Sequence, residues 1–243
     1  MKREMTRLCF AVAMAVLVPV DSARAALARE DRPVAPFHAV RLVGAIDLVV
    51  TQGPTDALAI EGESDQLKEV RVEVRDGILI ISHPTGWSLW SWFRVPSAAP
   101  RAIVRARALN RIAVEGSGDA RAQLLTVNDK FEIQVTGSGD VQIATLAAQA
   151  VDVRIAGSGD VRLGGAVLEE TVRIAGSGDF FGGELNSASC RISIAGSGNA
   201  LVWTRDKLDV SISGSGDLQY YGQPAVTQSV SGSGSLKSLG TKS

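Results

Sequence analysis

The chain repeats the tripeptide Gly-Ser-Gly seven times, and each copy is followed by a small polar residue. The copies begin at Gly116, Gly137, Gly157, Gly176, Gly196, Gly214 and Gly232, so successive copies lie 18 to 21 residues apart. A nearly fixed period of about 20 residues is typical of a solenoid, in which each unit packs mainly on its neighbours. At about 3.3 Å per extended residue, one unit can wrap once around a coil and return one strand higher. The motif therefore predicts stacked turns, each with a glycine corner.

Apolar residues alternate with polar ones before and after the motif. Alternation with a period of two gives a strand one buried face and one solvated face. The sequence therefore predicts an all-β protein, a right-handed parallel β-helix (β-solenoid) of about 20-residue rungs. The predicted core residues are Val151, Val153, Ile155, Val161, Leu163, Ile174, Ile192, Ile194, Val210 and Ile212.

The chain before the repeats divides into three segments. Residues 1–25 combine a basic start, an apolar run and small residues at 23 and 25, which predicts a signal peptide and export. Residues 26–36 are predicted to be a flexible leader. Residues 37–100 are predicted to form an irregular β-hairpin part, with a tight turn at Asp76-Gly77, and the repeats occupy 101–240. The sequence thus predicts one domain over residues 37–240.

A tryptophan-rich loop, residues 83–100, interrupts the β pattern. It holds three of the four tryptophans, Trp87, Trp90 and Trp92. One interpretation is that these aromatic rings cover the end or side of the β core. The other is an exposed surface for a glycan or a protein partner, because tryptophan suits such interfaces. These three residues are the candidate binding residues.

The residue after the motif is usually an aspartate. Five copies have Asp119, Asp140, Asp160, Asp179 and Asp217, and the other two have Asn199 and Ser235. An acceptor at this position is expected to hold the corner by binding backbone N–H groups, as in an Asx turn. Calcium binding is an alternative, although one carboxylate per rung is few for this ion. A second alternative is hydrolysis of a glycan by ladder aspartates such as Asp160 and Asp179.

Composition argues against several classes of function. The net charge of −1 is not that of a nucleic-acid-binding protein. Cys190 is the one cysteine outside the predicted signal peptide, so no disulfide is expected, and we expect it to pack as a small apolar residue. His38 and His83 both lie outside the repeats. We therefore predict no catalytic residues, cofactor or metal site, and no membrane span in the exported part.

The ordered motifs resemble a known family, the putative auto-transporter adhesin, head GIN domain, family. Residues 37–53 resemble its opening strand pair, residues 76–80 its hairpin, and residues 109–119 its entry into the repeats. The chain departs from the family at Arg107-Ala108, where members often have a proline, and in its tryptophan-rich insert. The resemblance implies a β-solenoid with a surface-related role, exported to the periplasm or cell surface of a Gram-negative bacterium, and it implies no catalytic residues.

These observations together predict a non-catalytic, exported binding, scaffold or adhesin-like module of the cell envelope. A glycan or an envelope or surface protein is the expected partner. A glycan-active β-helix hydrolase or lyase and a calcium-stabilised structural module are the two alternatives.

Overall fold

The computed structural model describes residues 28–83 and 99–242. It shows a β-solenoid of about six turns. The strands before the repeats are β1 (Ala28–Arg32), β2 (Ala39–Gly44), β3 (Asp47–Gln52), β4 (Ala57–Gly62), β5 (Arg71–Arg75), β6 (Ile78–His83) and β7 (Arg101–Ala106). Those of the repeats are β8 (Arg111–Gly116), β9 (Ala120–Thr126), β10 (Lys130–Gly137), β11 (Val141–Gly157), β12 (Val161–Gly176), β13 (Phe180–Gly196), β14 (Ala200–Gly214), β15 (Leu218–Tyr221), β16 (Ala225–Gly232) and β17 (Leu236–Ser238). One short helix, α1 (Ser64–Glu69), lies between β4 and β5.

The strands stack into two walls, which we call wall one and wall two. Wall one consists of β5, β6, β2, β8, β10, the second halves of β11 to β14, and β16, in that order. Wall two consists of β1, β4, β7, β3, β9, the first halves of β11 to β14, β15 and β17. The Gly-Ser-Gly motif joins the wall-one strand of each repeat rung to the wall-two strand of the same rung.

The glycines are required because the corners stack backbone on backbone. Gly157 has a φ of +135°, and a Cβ on it would lie 2.2 Å from the carbonyl oxygen of Gly137 in the preceding rung. A Cβ on Gly159 would lie 2.1 Å from the carbonyl oxygen of Gly139. The Gly137 carbonyl oxygen also accepts hydrogen bonds from the backbone N–H groups of Ser158 and Gly159. Any side chain at either glycine position would push two rungs apart.

The N-terminal part contributes complete rungs as well as a hairpin. Gly44 pairs in register with Gly116 and with His83, so the β2–β3 rung lies between the β6–β7 rung and the first repeat. The predicted hairpin turn at Asp76-Gly77 is confirmed, because β5 and β6 pair antiparallel around it. Strands β1 and β4 are also antiparallel to their neighbours, and they close this end of wall two.

One prediction about this region is wrong. Residues 28–32, assigned above to a flexible leader, form β1 and pair with residues 58–62 of β4. Strand β4 would otherwise present an unpaired edge, and β1 satisfies its backbone groups. The Arg29 guanidinium also donates to the Glu61 carboxylate at 3.1 Å.

The core fills the space between the walls, and all ten predicted core residues are buried, each at most 5% exposed. Phe131 and Phe180 are the largest side chains among the fully buried residues. At the other end of the coil, every residue of β16 is exposed. The β-solenoid prediction is thus confirmed, while the right-handed sense of the coil stays a prediction.

Candidate binding surface

A ladder of side-chain acceptors runs along the corner of the solenoid. The Oδ1 atom of Asp119 accepts a hydrogen bond from the backbone N–H of Asp140 at 3.1 Å, and Asp140 accepts from Asp160 at 2.9 Å. The remaining members, linked in the same way at 2.7 to 3.2 Å, are Asp47, Asp179, Asn199, Asp217 and Ser235. The bonded N–H belongs to the next rung, not to the same turn as in an Asx turn. The ladder therefore ties neighbouring rungs together, a role that asparagine also fills.

Beside the ladder, the outward face of wall two carries a second column of side chains. Its members occupy equivalent positions in successive rungs, two residues after the ladder residue in each repeat, and they are Ile103, Val49, Arg121, Gln142, Arg162, Phe181, Leu201, Gln219 and Lys237. The column is apolar at Ile103 and Val49, charged and polar near its middle, and apolar again at Phe181 and Leu201. The Arg162 guanidinium lies over the Phe181 ring, 4.5 Å from its centroid. Such cation–π contact holds the ring in place.

Residues of the ladder and of this column together line a groove of about 430 Å³ in the later rungs, which we call the ladder groove. Its acceptors are Asp179, Asn199 and Asp217, and its apolar side is formed by Phe181 and Leu201. Each aspartate uses Oδ1 in the ladder, and a carboxylate has a second oxygen that can accept further hydrogen bonds. The groove can therefore offer one apolar ring face and several acceptors to the same ligand.

Two residues further along the same strands lies a notch lined by aromatic rings. The Lys242 ammonium nitrogen lies 5.0 Å from the ring centroid of Trp203 and 5.5 Å from that of Tyr221. It also donates to the carbonyl oxygen of Gly183, and to Oε1 of Glu184 at 2.7 Å. We call these four lining residues the ammonium notch.

Wall one carries a compact ion network on its outward face. The Asp152 carboxylate is 8% exposed and lies 3.1 Å from the Lys130 ammonium, 2.9 Å from Arg154 and 3.2 Å from Arg173. Three cations from three rungs thus share one carboxylate. Because the three cations converge on one buried carboxylate, the network is better suited to holding the rungs together than to binding a ligand.

Glu170 lies inside the solenoid, 2% exposed, in the column between Val151 and Cys190. Burial raises the pKa of Glu170 to about 8, and the nearby Ser187 hydroxyl and Cys190 thiol offset only part of that shift. Burial and the Glu170 carboxyl raise the pKa of the Cys190 thiol well above its ordinary value. Both groups are therefore protonated at neutral pH, and Cys190 is buried as expected, although its neighbour is a carboxyl group.

The residues singled out in the sequence do not come together in one site of the described part of the chain. Trp87, Trp90 and Trp92 lie outside the described residues, so their role stays a prediction. The histidines are apart, His83 lying 3.7 Å from a Glu69 carboxylate oxygen and His38 packing on the Gly77 turn. Within residues 28–83 and 99–242, no group of three or more His, Cys, Asp or Glu side chains is placed to hold a metal ion. In that same part, α1 is far too short to cross a membrane.

Sequence reasoning missed Phe181, Trp203 and Tyr221 as surface residues. A signal was present, because Trp203 and Tyr221 each stand seven positions after the first glycine of their own motif. Counting from the motif would have placed them in one outward column.

The fold is shared with several solved structures. A putative adhesin from Bacteroides fragilis NCTC 9343 is 25% identical, with a TM-score of 0.81 over 88% of this chain and 97% of that chain. A putative lipid binding protein from Parabacteroides distasonis ATCC 8503 is 22% identical, with a TM-score of 0.67 over 88% and 96%. A putative adhesin from the same organism is 21% identical, with a TM-score of 0.66 over 88% and 97%.

No functionally curated protein matches the sequence. A family model does match, over residues 36–224, which includes most of both walls and most of the repeats. The matched range contains the ladder groove and the four residues of the ammonium notch. The chain therefore belongs to the family described as putative auto-transporter adhesin, head GIN domain.

Proposed function

We propose that the protein is a non-catalytic, exported binding module of the cell envelope that contacts glycans through the ladder groove. The observation that carries this proposal is that the Phe181 side chain lines the same groove as the acceptors Asp179 and Asn199. A sugar ring has an apolar C–H face, which can pack on an aromatic ring, and hydroxyl groups, which can donate to carboxylate and amide oxygens. One groove offers both kinds of contact.

The regular stacking of rungs supports a polymeric ligand. The ladder and the neighbouring column continue on both sides of the groove, so Arg162 and Lys237 extend the surface along the axis. An extended ligand can therefore make equivalent contacts in several rungs. Repeat proteins commonly use such long surfaces for binding.

The two alternatives fit the geometry less well. Glycoside hydrolysis needs two carboxyl groups on opposite sides of the bond that breaks, whereas Asp160 and Asp179 stand side by side in one column. A calcium site needs several oxygen ligands around one point, whereas each ladder step joins one carboxylate to one N–H group. A chelator such as EDTA should therefore leave the melting temperature unchanged.

The family and its solved relatives support a role outside the cytoplasm, and we propose the periplasm or outer surface of a Gram-negative cell as the compartment. The predicted signal peptide at residues 1–25 supports export.

Binding to a panel of immobilised envelope polysaccharides tests the proposal. We expect the protein to bind at least one of them, and Phe181→Ala to weaken that binding by about tenfold, as the loss of one stacked aromatic ring implies. Ser193→Ala, a small change on the exposed face of wall one, serves as the control and should bind like the unmodified protein. Equal binding by Phe181→Ala and the control would place the contact elsewhere.

A further inference from the structure

The ammonium notch already holds a cation, the chain's own Lys242. Ring faces attract a cation within about 6 Å of their centroids, and both Trp203 and Tyr221 meet this condition. The Lys242 side chain is 22% exposed in the notch, whereas the Glu184 side chain opposite is 82% exposed. The ammonium group is thus largely enclosed, with a carboxylate at the open side.

The walls of the notch are built independently of this occupant. Gly183, Trp203 and Tyr221 belong to β13, β14 and β15, three strands paired within the solenoid. A Cβ on Gly183 would lie 2.7 Å from Cδ2 of Leu201 and 3.8 Å from Cε2 of Tyr221, so a larger residue here would press on the Leu201 side chain. Lys242, by contrast, comes from the segment after the last strand. The site is therefore formed by the body of the solenoid, whereas its occupant comes from a separate segment.

The segment after β17, which we call the tail, is held in place by backbone hydrogen bonds as well as by Lys242. The backbone N–H of Leu239 donates to the Tyr220 carbonyl at 2.8 Å, and that of Gly222 donates to the Gly240 carbonyl at 2.9 Å. These bonds already pair the segment with the end of β15. The contacts of the Lys242 ammonium are thus additional to those that dock the tail.

We propose that the ammonium notch binds the primary ammonium group of an external ligand, and that Lys242 occupies it as an internal competitor. This inference rests on the proposed function, because the notch and the ladder groove lie on the same outward face. It adds that the ligand carries a positive charge next to the part that packs on Phe181.

The chemistry of the notch selects a primary ammonium over a methylated one. The Gly183 carbonyl and the Glu184 carboxylate each accept an N–H bond, and a trimethylammonium group has no N–H to donate. An acetylated amine keeps an N–H but loses the charge that the two rings and the carboxylate attract. An amino sugar and a lysine side chain of a partner protein both supply the required group.

The notch can be tested through its own tryptophan. Replacing Trp87, Trp90 and Trp92 by Phe leaves Trp203 as the one fluorescent tryptophan of the four in the chain. In this background, Lys242→Ala opens the notch. The probes are glucosamine, its N-acetyl form, Nα-acetyl-lysine amide and the ε-trimethyl form of that lysine derivative.

We expect saturable quenching or enhancement of Trp203 emission by both primary amines. The opened protein should bind them at least about tenfold more tightly than the protein that keeps Lys242, because a competing occupant reduces the fraction of open sites. The N-acetyl and trimethyl probes should bind about tenfold more weakly than their parent amines. Tighter binding of glucosamine than of lysine would identify an amino sugar as the ligand class, and the reverse order a lysine of a partner protein.

Glu184→Gln in the opened protein should weaken amine binding several-fold while its melting temperature stays unchanged, because the side chain is exposed. Glu169→Gln, a matched change at an exposed glutamate of the preceding rung, should have no effect. If the folded, opened protein responds equally to an amine and to its N-acetyl form, or to neither, the inference is wrong. In that case, binding of a neutral glycan that is weakened by Phe181→Ala would still support the proposed function. Conversely, amine binding in the notch without any glycan binding that depends on Phe181 would support the notch and contradict the proposed function.

Discussion

The Asp160 carboxylate accepts a hydrogen bond from the backbone N–H of Asp179, one rung further along the solenoid, at 2.9 Å. The same bond recurs from Asp47 to Ser235, and it links each corner to the next. The motif that dominates the sequence is therefore a device for joining rungs. The ligand contacts that we propose lie beside it, on the outward face of wall two.

Asp160→Ala is expected to destabilise the protein by about 1 kcal/mol, because the N–H of Asp179 loses its acceptor. Asp160→Asn should cost less than half of that, since Asn199 already fills the same role by accepting from the N–H of Asp217 at 3.1 Å. Urea unfolding followed by circular dichroism measures both. Equal losses for the two variants would show that the charge matters and the acceptor does not.

Gly157→Ala is expected to cost about 3 kcal/mol or more, because its backbone is in the left-handed region and its new Cβ would meet the Gly137 carbonyl. Ser158→Ala, at the exposed neighbouring position, should change stability by no more than about 0.5 kcal/mol. Thermal unfolding of the two variants compares them directly. A stable Gly157→Ala protein would contradict the backbone-on-backbone corner.

The repeat itself made most of this architecture predictable. A period near 20 residues fixed the stacking, and alternation around residues such as Ile155 fixed which side chains point inward. The order of the N-terminal rungs was not predictable in the same way, because the pairing of Gly44 with His83 joins distant segments that share no motif. The ammonium notch was also hidden, since it depends on Lys242 folding back to Gly183, a contact that no local pattern encodes.

Glu170 should make stability depend on pH. Its pKa in the folded protein is about 8, above its ordinary value of 4.5, so the unfolded chain releases this proton first as the pH rises. The stability associated with the protonated carboxyl is complete below pH 4.5 and is lost as the pH rises towards 8. At about 1.4 kcal/mol per pKa unit, the loss amounts to a few kcal/mol.

Glu170→Gln keeps the shape of the side chain and cannot ionise, so its stability should change much less over this range. Denaturant unfolding at pH 5 and at pH 8 measures the difference between the two proteins. Glu169→Gln, at the exposed neighbour, should retain the slope of the unmodified protein. The assignment fails if Glu170→Gln and the unmodified protein lose stability in parallel.

The ion network of wall one should respond to loss of its shared carboxylate. Asp152→Asn leaves Lys130, Arg154 and Arg173 without their common partner, and we expect a loss of about 1–2 kcal/mol because the cations remain half exposed. Added salt should reduce the difference from the unmodified protein. Asp206→Asn, at an exposed aspartate, is the control. Equal free energies of unfolding for the two variants would show that the network does not stabilise the protein.

We infer that ligands bind on the outward face of wall two. The most direct test is the dissociation constant for a bound envelope glycan, measured for the unmodified protein, for Phe181→Ala and for the Trp87/Trp90/Trp92 triple alanine variant. We predict that Phe181→Ala raises the dissociation constant about tenfold, as expected for a central aromatic contact, while the triple variant changes it less. A large rise for the triple variant, with Phe181→Ala unchanged, would contradict the claim and assign binding to the tryptophan-rich loop.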